Sequence, residues 1–129
     1  MIQAIVFDVD GVILNKWKII QDSYNFIKQN HKKYIFFTNT TFSKSKLQKL
    51  FSDLDIWKYF MELLAYEDWN KRQNIEYIKE VYNLSWDTIL FIDDINDNLE
   101  QVKNTKVHTL LFTQDSVSLQ EKINTKLNI

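Results

Sequence analysis

Five apolar runs of strand length recur along the chain, and the segments between them have the length and spacing of amphipathic helices. The runs are Ile2 to Phe7, Tyr34 to Phe37, Met61 to Ala65, Thr88 to Ile92 and Val107 to Phe112. Each is too apolar to leave one face wet, which is the pattern of a parallel sheet covered by helices on both sides. The expected fold class is therefore α/β, a three-layer Rossmann-like arrangement around a five-stranded parallel sheet. No repeat, low-complexity tract or linker interrupts the 129 residues, so a single domain over 1–129 is expected. A chain of this length buries roughly two-thirds of its unfolded surface on folding.

Between the runs, Ile19, Ile20, Tyr24, Phe26, Ile27 and His31 follow one helical face. Ser43 is placed to cap a second helix carrying Leu47, Leu50, Phe51 and Leu54. Ile75, Ile78, Val81 and Tyr82 mark a third, Leu99 and Val102 a short fourth, and Leu119, Ile123 and Leu127 a fifth.

Composition removes several function classes. With one glycine the chain holds neither a P-loop nor a dinucleotide fingerprint, both of which need several glycines so that backbone can approach phosphate. With no cysteine it has no disulfide, thiolate metal site or cysteine nucleophile. A net charge of -1 supplies no broad field for nucleic acid or anionic lipid. No run approaches about 18 apolar residues and the first residues lack a basic leader, so a soluble, cytoplasmic protein with no membrane partner is expected.

In an open parallel sheet, ligands bind outside the carboxyl ends of the strands. There the first run ends Asp8-Val9-Asp10-Gly11-Val12, the second Thr38-Asn39-Thr40 and the fourth Asp93-Asp94. Any one strand-end Asp is commonly a turn former or helix cap. Four on one sheet edge repel one another unless a cation joins them, and oxygen-only ligands suit Mg²⁺. Lys71 opens the third helix, where a cation opposes the helix dipole and a nearby anion would explain it. Its neighbour Arg72 is the substitute. Position alone favours a solvated surface lysine.

Taken in order, Asp8-x-Asp10-Gly-Val, Thr38-Asn39, Lys71 and Ile-Asp93-Asp94 resemble the haloacid dehalogenase (HAD) superfamily of phosphohydrolases, over nearly the whole chain. Response-regulator receiver domains use similar residues in a different order, with the acidic pair first. The resemblance implies a Mg²⁺-dependent phosphatase. Asp8 would be the nucleophile, forming an aspartyl phosphate, and Asp10 the general acid/base. Thr38 would donate to the phosphoryl group with nearby backbone amides, Asn39 and Gly11 lying in the same substrate-binding loops. Lys71 would offset the charge shared by Asp8 and phosphate. Asp8, the Asp10 carbonyl, Asp94 and Asp93, the last directly or through water, would hold Mg²⁺, and Asp97 would orient them. The chain departs from the family at Arg72, where Pro is frequent, and at Asn104-Thr105, where Gly is frequent.

The intervals between motifs leave no room for a cap domain, only a short flap around Ile13 to Lys18. Resemblance to capless members implies a phosphorylated substrate that is a macromolecule, or a small molecule enclosed by a homo-oligomer. Trp17 in the flap and Trp69 before Lys71 are candidates to line the mouth, although packing at the core edge is the commoner use of such residues. Lys44, Lys46 and Lys49 form a small basic patch or a solvated helix face. His31 and His108 have no partner pattern. Two other readings stand beside the phosphatase: a non-hydrolytic HAD-like binding module, and a phosphatase acting on nucleic-acid 3′-phosphate ends.

Overall fold

The computed structural model describes residues 1–65 and 70–129. Trp69 lies outside the described residues. The main sheet is formed by β1 (Ala4–Phe7), β4 (Ile35–Thr40), β5 (Glu62–Ala65), β6 (Ile89–Asp93) and β7 (His108–Leu111). Its order is β5-β4-β1-β6-β7, and every pairing is parallel. β1 is central and wholly buried, as its sequence Ala-Ile-Val-Phe requires. The five apolar runs of the sequence correspond to these five strands. Two short strands, β2 (Leu14–Asn15) and β3 (Lys18–Ile19), pair antiparallel as a separate hairpin at the position of the expected flap.

Alternation along the strands divides the core between the two faces of the sheet. Ile5, Phe7, Phe36, Leu90 and Ile92 pack with Phe26 and Ile27 of α1 (Gln21–Asn30), Leu47 and Phe51 of α2 (Lys44–Asp53), and Leu119 and Ile123 of α5 (Leu119–Leu127). Ala4, Val6, Phe37, Ile89 and Phe91 pack with Ile75 and Ile78 of α3 (Lys71–Val81) and with Leu99 of α4 (Asn96–Glu100). This is the three-layer arrangement read from the sequence. Helix starts follow local chemistry: the Ser43 hydroxyl accepts from the Lys46 amide, and Asn70 and Gln73 form a reciprocal capping box at the start of α3.

The chain passes from β1 to β4 to β5 on one side, then crosses back to β6 and β7 on the other. The carboxyl ends of β1 and its neighbours therefore form the crevice where the strand order switches. No insertion interrupts these elements: β1 to β4 holds only the hairpin and α1, and β4 to β5 only α2 and a short turn of 3₁₀-helix. Among the described residues, no helix is long and apolar enough to cross a membrane.

Phe36 sits among Phe7, Phe26 and Phe60, with ring centroids 5.3 to 6.1 Å away. Phe36→Ala is expected to cost about 3–5 kcal/mol of unfolding free energy, read from urea denaturation followed by circular dichroism.

Candidate active site

β1 delivers Asp8 to the crevice and β6 delivers Asp93, both buried. Between them stands Lys71, the first residue of α3, also buried. Its ammonium donates to Asp8 Oδ1 at 2.8 Å and to Asp93 Oδ2 at 2.7 Å. The positional expectation of a solvated lysine is therefore overturned, and the cation at a helix N-terminus is explained by two buried carboxylates. Arg72 turns away, pairing with Glu76 and donating to the Gln101 carbonyl. Of the two candidate cations, it is Lys71 that reaches the acids.

Asp93 is held from a further side, since its Oδ1 accepts from the Ile95 amide at 2.9 Å and from Asn98 Nδ2 at 3.2 Å. The residue of α4 that touches it is thus Asn98, one position beyond the expected Asp97. Asp94 is different: its Oδ1 is buried without a hydrogen-bond partner among the described residues. Carboxylate oxygens of Asp8, Asp93 and Asp94 lie within 4.8 Å of one another. The Asp10 side chain stands outside this group, exposed beneath the flap.

Burial pushes the Asp8 carboxyl up to about 7; Lys71 opposes that rise, while Asp93 and Asp94 add to it. Three carboxylates facing one ammonium leave a formal deficit of positive charge, and one oxygen of Asp94 lacks a donor. A hard divalent cation meets both needs with an all-oxygen ligand set, so the residues present fit Mg²⁺.

Gly11 makes that arrangement sterically possible. Its φ of +89° is a conformation that side-chain-bearing residues rarely adopt, and a Cβ there would lie 2.0 Å from Asp94 Oδ2. The only glycine of the chain is therefore where Asp94 must approach the backbone. Sequence reasoning placed it in a substrate-binding loop and had no signal for this steric demand.

Thr38 and Asn39 are engaged within the fold. The Thr38 hydroxyl donates to the Leu64 carbonyl and accepts from the Leu64 amide, at 3.0 and 2.8 Å. It is wholly buried between β4 and β5, and its one hydroxyl donor is taken by the neighbouring strand. Asn39 is likewise buried; its amide donates to the Lys71 carbonyl at 2.9 Å and its oxygen accepts from Asn74 at 3.0 Å. Asn74 also donates to the Ala65 carbonyl. Asn39 thus fixes the start of α3, and with it Lys71, to the end of β4. Asn74 was missed because a buried Asn has no pattern in the sequence.

These features can be set beside known proteins. The family model described as "Haloacid dehalogenase-like hydrolase" matches residues 5–58. Residues 5–58 are thus similar to that family, and the fold is similar to that of haloacid dehalogenase-like hydrolases of known structure. A haloacid dehalogenase-like family hydrolase from Streptococcus pneumoniae superposes with a TM-score of 0.77 at 14% identity, covering 95% of this chain and 90% of that one. A phosphatase-containing N-terminal part of a Bacteroides fragilis protein, complexed with Mg, gives 0.75 at 16% identity over 98% of this chain and 40% of that one. The 3-deoxy-D-manno-octulosonate 8-phosphate phosphatase of Moraxella catarrhalis, in complex with magnesium and phosphate ions, gives 0.58 at 16% identity over 81% and 64%. No curated protein sequence matches the chain significantly.

Two outcomes follow from this HAD-like geometry. Gly11→Ala is expected to weaken Mg²⁺ binding at least about tenfold by calorimetry, because Asp94 is displaced. Since the folded Asp8 pKa of about 7 lies above the reference value of 3.8, its contribution to stability is complete below 3.8 and is lost as pH rises through 7. In EDTA, urea denaturation is expected to show that loss in the unaltered protein and not in Asp8→Asn, and Mg²⁺ is expected to reverse it.

Proposed function

We propose that the protein is a Mg²⁺-dependent phosphomonoester hydrolase acting through an aspartyl phosphate on Asp8. The observation that carries this reading is the buried Asp8–Lys71–Asp93 bridge beside the unpartnered Asp94 oxygen, at the switch point of an HAD-like sheet. Phosphatases among the structures of similar fold support it.

Phosphoryl transfer needs an in-line nucleophile, neutralisation of charge on the phosphoryl oxygens and protonation of the leaving group. Asp8, Asp94 and Asp93 would hold Mg²⁺, which supplies positive charge that favours ionised Asp8 and offsets the phosphoryl oxygens. An Asp8 oxygen attacks phosphorus, the ester P–O bond breaks, and the Asp10 carboxyl gives its proton to the departing alkoxide. Asp10, now ionised, takes a proton from water, whose oxygen attacks the same phosphorus; the acyl phosphate opens to free Asp8 and inorganic phosphate. Lys71 keeps Asp8 oriented throughout and balances charge where water cannot enter freely. Asp10 suits a proton-shuttling role because it is exposed on the leaving-group side, beneath the flap.

The test is phosphate release from a panel of phosphate esters with Mg²⁺ and with EDTA. Asp8→Asn is expected to abolish turnover, and Asp10→Asn to reduce it by about 10²–10⁴-fold, both with the fold retained by circular dichroism. Near-normal turnover in Asp8→Asn would overturn the mechanism. No turnover of any ester by the unaltered protein would favour the non-hydrolytic binding module.

A further inference from the structure

Asp10 forms one wall of an open cleft of about 370 Å³ between the β2–β3 hairpin and the first turn of α2. The hairpin tip is Lys16-Trp17, both left-handed at φ 51° and 68°, a conformation that costs a bulky residue such as Trp17 and normally falls to Asn or Gly. That backbone directs the Trp17 indole across the cleft onto Phe42, ring centroids 5.6 Å apart and planes 28° from parallel. Lys46 lies over both rings, its ammonium 4.0 Å from the Trp17 centroid and 4.6 Å from that of Phe42. Yet Trp17 remains 56% exposed. Among the described residues no carboxylate pairs with Lys46.

An indole used only as packing would not be held in a strained turn with most of its surface in water. An exposed aromatic face, an unpaired cation beside it and the acid that serves the leaving group share one cleft, and each suits part of a single ligand. We propose that this cleft is the leaving-group subsite and takes a phosphomonoester whose alcohol bears a planar aromatic ring, such as a nucleoside 5′-monophosphate. Its ring stacks on Trp17, and Lys46 complements the ring's π-electrons and the ligand's negative charge. The inference rests on the phosphatase reading for the orientation of the ligand, with phosphate towards Asp8 and ring towards the flap.

Binding to Asp8→Asn in Mg²⁺, measured by calorimetry, separates this inference from catalysis. Adenosine 5′-monophosphate and ribose 5-phosphate share the scissile ester and differ by the base. The nucleotide is expected to bind at least about tenfold more tightly, the gain of one stacked base. Trp17→Ala introduced beside Asp8→Asn is expected to bring that ratio close to one, and Trp17→Phe to keep part of it. A 5′-phosphorylated decanucleotide distinguishes the source of the ring: tighter binding than the mononucleotide points to a strand end, weaker binding to a free nucleotide. Equal affinity for the two small ligands, no binding of the nucleotide, or a ratio unchanged by Trp17→Ala would overturn the proposal. A nucleotide preference that depends on Trp17, with no hydrolysis by the unaltered protein, would overturn the phosphatase reading alone.

Discussion

Everything at the carboxyl edge of this sheet is organised around one ammonium. Lys71 bridges Asp8 and Asp93, which come from adjacent parallel strands and would repel each other in a water-poor setting. Bringing three ionisable groups out of water is costly, and that cost is offset only while all three remain together with their other hydrogen bonds. Asn39 and Asn74 hold the start of α3, while Ile95 and Asn98 hold Asp93. The polar residues buried at this end of the fold thus act as one bracket that prevents the bridge from opening.

The bridge also leaves a definite imbalance. Asp94 is brought in by the turn at Gly11, and with it the cluster has more negative charge than Lys71 offsets. The fold therefore carries, in its own residues, a need for further positive charge beside Asp8, Asp93 and Asp94. Asp10 is kept apart from this cluster and open to solvent, a separation that suits two carboxylates to different roles.

Much of this was legible in the sequence. Five apolar runs marked the strands, because a doubly covered parallel sheet leaves no polar alternation to confuse the reading. Asp8, Asp93 and Asp94, whose carboxylates cluster, were singled out because strand ends are where such a sheet exposes polar groups. Lys71 was not legible as a buried residue, since exposure cannot be told from position in a helix. Thr38 and Asn39 show the limit most clearly. A hydroxyl or an amide at a strand end can face a ligand or brace the next strand, and only three-dimensional neighbours such as Leu64 and Asn74 decide between them. The stacking of Trp17 on Phe42 was hidden for the same reason, as the two rings meet only through the hairpin's fold.

The two faces of the sheet are unequally filled. The larger apolar cluster unites the phenylalanines with α1, α2 and α5, and the smaller one carries α3 and α4. Local opening is cheapest where fewer apolar groups hold an element down. Lys71 and the Asn98 clasp on Asp93 belong to helices of that smaller face, so the polar bracket also adds cohesion to the layer that packing secures least. Slow exchange of backbone amides should accordingly be concentrated in β1 and β4, with α3 and α4 joining them when the charge at the edge is balanced.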